Sequence, residues 1–354
     1  MSRDDFKSFD EADCLFRTSK GKVRSVPPLP EGTRVADAHC HLGMLERPGL
    51  AIARAAHHGF GLLVCILDPG AEPADDDTPA DVCLQRLDAW LDDARGLLAA
   101  WGEGDTPLPH VRFAVGVHPH NAKHFERVEG ATRALLKDPR VSCVGEIGLD
   151  YHYDLSPRDV QRDVFARQLH IAEQAGLPVE LHLREAHADA LDILRAEGVP
   201  AAGCIVHCFN LDAAALEPFL ELGCFVSFGG PLTFRKSHDT RQACLLVPPQ
   251  RLLTETDAPF MAPEPLRGTV CDPAQTLFTL RMLLDCFGYA GREAADKALQ
   301  PRPSDLAAGA EPFDTDAVGF LELQRGMTEA QFCARVYANA AELLDGAPSA
   351  WQLA

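Results

Sequence analysis

The stretch VADAHCHLG, Val35–Gly43, decides how the chain is read. Asp37, His39 and His41 stand on alternate positions, with Ala36, Ala38, Cys40 and Leu42 between and beyond them. In a β-strand, residues i, i+2 and i+4 share a face. The alternation therefore predicts a strand with three polar, ligand-type side chains on one side. Two imidazoles so placed can converge on one metal ion. A polar strand end with two hydrogen-bonded histidines has the same pattern, so the rest of the chain must decide.

Seven further runs are short and apolar or alternating: GLLVCIL (61–67), VRFAVGVHP (111–119), SCVGEIGLD (142–150), PVELHL (178–183), GCIVHCF (203–209), GCFVSFGG (223–230) and RLLTETDAP (251–259). Helix-like segments separate them. QRDVFARQLHIAEQAG (161–176) has apolar residues at helical spacing and a closing glycine, and AHADALDILRAEG (186–198) has the same form. Eight strands alternating with helices predict an α/β fold of the (β/α)8 TIM-barrel type. An open doubly wound sheet alternates in the same way. The polar residues favour the barrel. His39 and His41, His118 and His120, Glu146 and Asp150, His182, His207 and Asp257 fall at the C-terminal ends of six different strands. That is the face on which barrel enzymes build their sites.

The composition is globular, with 46% hydrophobic residues. No apolar run approaches a membrane span, and the polar, acidic N-terminus has no signal-peptide core, so a cytoplasmic protein without membrane contact is expected. Twelve cysteines without a CxxC pair suit reduced, buried thiols. Cys204 and Cys208 flank His207, but no second pair completes a zinc knuckle. Lysine plus arginine number 33 against 52 acidic residues, a formal charge of −19. That excludes coating nucleic acid by charge alone, though not local neutralisation of phosphate by metal ions. A single barrel domain is expected over 34–346. Residues 1–33 form an extension, 288–318 an Ala-, Gly-, Pro- and Asp-rich insertion after strand 8, and 347–354 a tail. The 68–110 crossover is long and holds an acidic loop.

In order along the chain, DAHCHL, GVHPH, VGEIGLDY, LPVELHLREA, GCIVHCF, GCFVSFGGPLTF, LLTETDAPFMAPEP and GMTEAQFCARVYANAAELL resemble the TatD-type metal-dependent hydrolases, known as deoxyribonucleases, among the amidohydrolase-like barrels. The resemblance covers roughly residues 35–270 and 325–346 and includes the C-terminal asparagine, Asn339. It implies that His39, His41 and Asp257 hold one divalent ion, His182 and His207 a second, and Glu146 bridges the two. Asp257 would also sit beside the attacking water. Imidazole and carboxylate donors suit zinc, manganese or magnesium. The sequence departs from the family at Asn210 and Leu211 after HCF, at Leu183, and at Asp272–Pro273 in place of Asn-Glu-Pro. These changes put the substrate in question more than the metals.

Each candidate has a plainer alternative. Glu146 can pair with an arginine, His182 and His207 can be core histidines, and Asp257 can be a turn residue. Asp37, His118, His120, Asp150, Arg184 and Glu255 are candidates for substrate contact or for orienting the ligands. Arg184 offers bidentate phosphate binding. Arg235 and Lys236 offer charge near strand 7, and Gly229–Gly230 permits close backbone approach. The expected function is metal-dependent phosphodiester hydrolysis, as a 3′-to-5′ exonuclease on DNA ends. A metal-dependent hydrolase of a small-molecule amide, ester or lactone is the alternative, and a non-catalytic interaction protein on the barrel scaffold ranks third. The expected partner is a DNA end or another phosphodiester, or a small-molecule substrate; the sequence does not define protein partners.

Overall fold

The computed structural model describes residues 16–71, 80–300 and 326–346. Eight strands form one sheet whose neighbours follow chain order. They are β1 (Val35–Cys40), β2 (Phe60–Leu67), β3 (His110–Val115), β4 (Val141–Asp150), β5 (Val179–Arg184), β6 (Cys204–Val206), β7 (Phe225–Phe228) and β8 (Leu252–Thr254). Every pairing is parallel. The sheet closes beyond the end of β8. Cys40 bridges Ala258 in parallel, the His41 amide donates to the Ala258 carbonyl at 2.7 Å, and Asp257 donates to the His39 carbonyl at 2.9 Å. The alternating sequence thus builds the (β/α)8 barrel, and its closure places Asp257 directly against β1.

The surrounding helices are α1 (Pro48–His57), α2 (Ala80–Ala100), α3 (Phe125–Leu135), α4 (Arg158–Ala175), α5 (His187–Glu197), α6 (Ala213–Glu221), α7 (His238–Cys244), α8 (Thr276–Cys286), α9 (Arg292–Leu299) and α10 (Glu329–Leu344). The long α2 occupies much of the 68–110 crossover. Gly176 ends α4 at φ 65°, the left-handed stop that its position foretold. Alternate strand residues divide the core. Leu63, Cys65, Leu67, Phe113 and Val115 belong to the large cluster packed with the helices. Ala36, Ala38, Leu62, Val64, Ala114, Ile205 and Leu253 form a smaller inner cluster, plugged by Ala340 and Leu344 of α10. Asn339 fixes that plug by donating to the carbonyls of Pro249 (2.7 Å) and Leu252 (2.9 Å), at the barrel end opposite the site.

Three expectations change in detail. Strands β6 and β8 are three residues each, shorter than the runs 203–209 and 251–259. The chain turns at Cys208 and Asp257, whose φ values are 47° and 60°. Within 288–318, read as aperiodic, residues 292–299 form α9. Arg241, buried at the end of a long side chain, ties it down by donating to the carbonyls of Leu232 (3.0 Å), Phe234 (2.8 Å) and Ala298. Gln242 donates to Leu299, which is fully buried. Residues 301–318, the N-terminal 1–15, the tail 347–354 and most of the acidic loop lie outside the described residues. In the N-terminal extension, Phe16–Arg17 pairs with Val23–Arg24, and Phe16 packs on His58 and Phe278.

Candidate metal centre

Glu146, just past the middle of β4, is the hub of the cluster, and its two carboxylate oxygens face different partners. Oε1 lies 3.8 Å from His39 Nε2 and 3.7 Å from His41 Nε2. Asp257 Oδ1 completes that side, 3.7 Å from His39 Nε2 and 3.4 Å from His41 Nε2. Oε2 lies 3.0 Å from His182 Nδ1, 3.5 Å from His207 Nε2 and 3.8 Å from His118 Nε2. The structure therefore brings together all six residues expected as ligands, from β1, β4, β5 and the turns after β6 and β8. Two groups around Glu146, one with His39 and His41 and one with His118 and His182, have donor atoms close enough to share an ion.

The donor set fits cations. His39 Nδ1 faces Glu180 Oε1 at 3.0 Å, deep in the barrel, and with Oε1 as acceptor the ring proton sits on Nδ1. Its Nε2 lone pair then points at His41 Nε2, 3.3 Å away, and at the oxygens of Glu146 and Asp257. Acceptors converge there with little to donate to them. Across the hub, His207 stacks on His39 with ring centroids 3.9 Å apart. Its Nδ1 lies 3.3 Å from Glu255 Oε1, within ion-pair reach but poorly aligned for a hydrogen bond. Both Glu255 oxygens and Glu180 Oε2 are buried without a hydrogen-bond donor in good geometry. Unpaired buried carboxylate is costly unless charge compensates it.

The electrostatics of these buried groups carry the same excess of negative charge. Burial pushes the Glu146 carboxyl up, but His118, His182 and His39 together bring it well below its usual range. Burial opposes a charged His207, yet Glu255, then Glu146 and Asp257, lift it to about 10. Burial drives Glu180 well above the ordinary carboxylate value, and burial with His207 alongside holds His39 well below the usual imidazole value. A proton on His207 would offset the surrounding acids, and a bound metal ion would displace it.

The other candidates fall in distinct places. Asp150, fully buried, takes His120 Nε2 at 2.8 Å and His182 Nε2 at 3.4 Å on Oδ2, and the amides of His152 and Tyr153 on Oδ1. It orients the rings and does not face open solvent. His118 Nδ1 accepts the His120 amide at 3.1 Å, which leaves the ring proton on Nε2, aimed at the hub. With its affinity for a second proton lowered by burial, His118 is set as a hydrogen-bond donor. Asp37 does not join the cluster. The β1 register shifts between Asp37 and Cys40, breaking strict alternation. The Asp37 carboxylate instead braces β1 to the closing segment through the amide (2.9 Å) and hydroxyl (2.6 Å) of Thr256. Arg184 lies over the Tyr153 ring. Arg235 and Lys236 are exposed. Gly230 is approached by the chain's own Met261 carbonyl, so its missing side chain serves packing. Asp272 caps Ala274 and pairs with Arg54 at 3.1 Å.

Glu180 escaped the sequence reading. The available signal was its position two residues before His182, on the same strand face. The eleven described cysteines are all free, and none belongs to a metal-compatible group among the described residues. No described helix is long and apolar enough to cross a membrane.

Comparison with known proteins follows the same lines. The family model for TatD related DNase matches residues 36–300. The chain is 36% identical over 176 residues to the uncharacterized metal-dependent hydrolase YabD of Bacillus subtilis (strain 168), covering 49% of this chain and 69% of that one. It is 37% identical over 154 residues to the 3′-5′ ssDNA/RNA exonuclease TatD of Pantoea vagans (strain C9-1), covering 43% of this chain and 59% of that one. The crystal structure of YJJV, a TatD homologue from Escherichia coli K12, superposes with a TM-score of 0.62 over 90% of this chain and 100% of that one. At 23% identity that likeness speaks for the fold.

Proposed function

The chain belongs to the TatD-related DNase family of metal-dependent hydrolases, and on that premise we propose that it is a 3′-to-5′ exodeoxyribonuclease acting at DNA ends with two divalent ions. The observation that carries the reading is the division of labour at Glu146. One oxygen faces His39, His41 and the Asp257 side, and the other faces His182 and His207. His39, His41 and Asp257 would hold one ion, His182 and His207 the other, and Glu146 both. Four imidazoles favour zinc or manganese over magnesium. Such ions, when bound, acidify water and neutralise the charge of a phosphodiester.

The protein's own groups supply the rest. Asp257 Oδ1, 3.4 Å from His41 Nε2 and partly exposed, would orient the attacking water and take its proton. Its carboxylate is held there by a turn with φ 60°, a conformation that Asp and Asn tolerate better than most residues. His118, whose Nε2 lies 3.8 Å from Glu146 Oε2 at the edge of the cluster, would donate to a phosphate oxygen of the substrate. Asp150 holds His120 and His182 in place. Cleavage from an end needs contacts to few phosphates, which suits a chain of formal charge −19. That same acidity favours the second reading, hydrolysis of a small-molecule ester, lactone or amide, since it opposes binding of a polyanion. Free buried thiols support a cytoplasmic location.

A panel of single-stranded DNA, RNA, esters and amides, assayed with Zn²⁺, Mn²⁺ and Mg²⁺, tests the proposal. The wild type should release mononucleotides from 3′ ends, and the His39→Ala/His41→Ala double variant should not. Turnover of esters or amides with no nucleotide release would establish the alternative.

A further inference from the structure

Among the described residues, only two aromatic side chains other than histidine are exposed, Phe260 at 47% and Tyr153 at 54%. Both stand at the barrel mouth. Phe260 lies edge-to-face with His41, ring centroids 6.0 Å apart, on the Asp257 side of Glu146. Tyr153 lies edge-to-face with His120, 5.4 Å apart, on the Asp150 and His182 side. The other tyrosines, tryptophans and phenylalanines among the described residues are buried or half-buried.

Their positions are fixed by the catalytic frame. The Phe260 amide donates to the Asp257 carbonyl at 2.7 Å, so the ring follows directly from the turn that aims the Asp257 carboxylate. The Tyr153 amide donates to Asp150 Oδ1 at 2.9 Å, and Asp150 also orients His182. The Arg184 guanidinium lies 4.7 Å from the Tyr153 ring centre and supports it with a cation–π contact. Exposed aromatic rings held rigidly at both ends of a polar cluster have an energetic reason to exist if something flat covers them during function. Nucleobases do so, because every base has a stacking face whatever its sequence.

We propose that Phe260 and Tyr153 are base-stacking platforms that grip unpaired nucleotides on either side of the reacting phosphodiester. This rests on the phosphodiesterase reading above and deepens it by naming the residues that recognise the bases. The grip requires bases free of a partner strand and is indifferent to which base is present. Both rings are about half exposed and neither belongs to a hydrophobic core cluster of the described residues, so truncating them should leave folding intact.

The test pairs Phe260→Ala and Tyr153→Ala with two substrates under saturating Mn²⁺. One is a single-stranded DNA oligonucleotide. The other is the same oligonucleotide with tetrahydrofuran abasic residues at its 3′-terminal positions. Each variant should raise KM on the base-bearing oligonucleotide roughly tenfold with little change in kcat. On the abasic oligonucleotide the variants and the wild type should have the same KM. Phe260→Trp and Tyr153→Phe should restore the wild-type value. Equal losses on both oligonucleotides, or no loss on either, would overturn the inference while leaving the nuclease reading standing. Absence of cleavage and binding of both oligonucleotides by the wild type would overturn the nuclease reading, and this inference with it.

Discussion

Replacing Glu180 separates a metal-positioning role from a packing role. Its Oε1 takes the Nδ1 proton of His39 at 3.0 Å, and both side chains are fully buried. This contact fixes the tautomer that presents Nε2 to the mouth. Loss of such a carboxylate–imidazole pair lowers metal affinity about 10- to 100-fold, or about 1.4–2.7 kcal/mol. In Glu180→Leu no acceptor remains, the His39 proton can move to Nε2, and the affinity should fall toward the upper end of that range. Glu180→Gln keeps an acceptor oxygen and should lose only about tenfold. Stability should move the other way. Burial raises the Glu180 pKa, so the folded state holds this proton more tightly than the unfolded chain does. The metal-free wild type therefore loses stability as pH rises above the unfolded value of about 4.3, and Glu180→Gln does not carry that loss. Calorimetric titration of the chelated proteins with Zn²⁺ or Mn²⁺, alongside their thermal unfolding at neutral pH, measures both. Wild-type affinity in Glu180→Leu would refute the argument. So would a loss of metal-free stability matching the loss of affinity, since that would make Glu180 a packing residue.

Asp257→Asn should abolish turnover and leave substrate binding, read by anisotropy of a labelled oligonucleotide, within a few-fold of wild type. The amide tolerates the left-handed turn but cannot take a proton, and loss of binding as well would mean that the whole mouth had collapsed. Glu146→Ala should lose activity by orders of magnitude, and its metal-free melting temperature should fall modestly, because His118, His182 and His39 hold the ionised carboxylate in the folded protein. Near-normal turnover at saturating metal would show that Glu146 is not the shared ligand. Asp68 sits just beyond β2, accepting from Gly70 and Asn121, and burial pushes its carboxyl from 3.8 up to about 7. The wild type should therefore lose stability relative to Asp68→Asn as pH rises from 4 to 7, by up to about 4 kcal/mol. Parallel urea titrations at the two pH values check it, and a constant difference between the proteins would contradict it.

Much of this was legible because a barrel places its chemistry at strand ends. Alternation in VADAHCHLG, the repetition of strand and helix and the polar residues at strand ends point to the barrel and its mouth, while the choice of six of those residues as ligands rests on the family resemblance. What escaped depended on three-dimensional detail. Asp37 shares the alternation of His39 and His41, but a shift in register sends its carboxylate to Thr256. Glu180 looks like an ordinary strand acid until β5 is set across the barrel from His39. His118 reads as a loop histidine, and only the His120 amide on its Nδ1 shows which nitrogen carries the proton. Helix α9 is only eight residues long, and its buried Ala295, Ala298 and Leu299 do keep helical spacing, but two alanines and one leucine stand out little in so Ala-rich a stretch.

The central claim is that this mouth hydrolyses phosphodiesters from a 3′ end with metal held around Glu146. The direct measurement follows a single-stranded oligonucleotide, labelled at its 5′ end, incubated with protein that has been stripped of metal and then reconstituted with Mn²⁺ or Zn²⁺. The stripped protein should give no product, and the reconstituted protein a ladder of 5′-labelled products shortening one nucleotide at a time. Metal-independent cleavage, products that arise by internal cuts, or an intact oligonucleotide under conditions where the reconstituted protein hydrolyses a small ester or amide would contradict it.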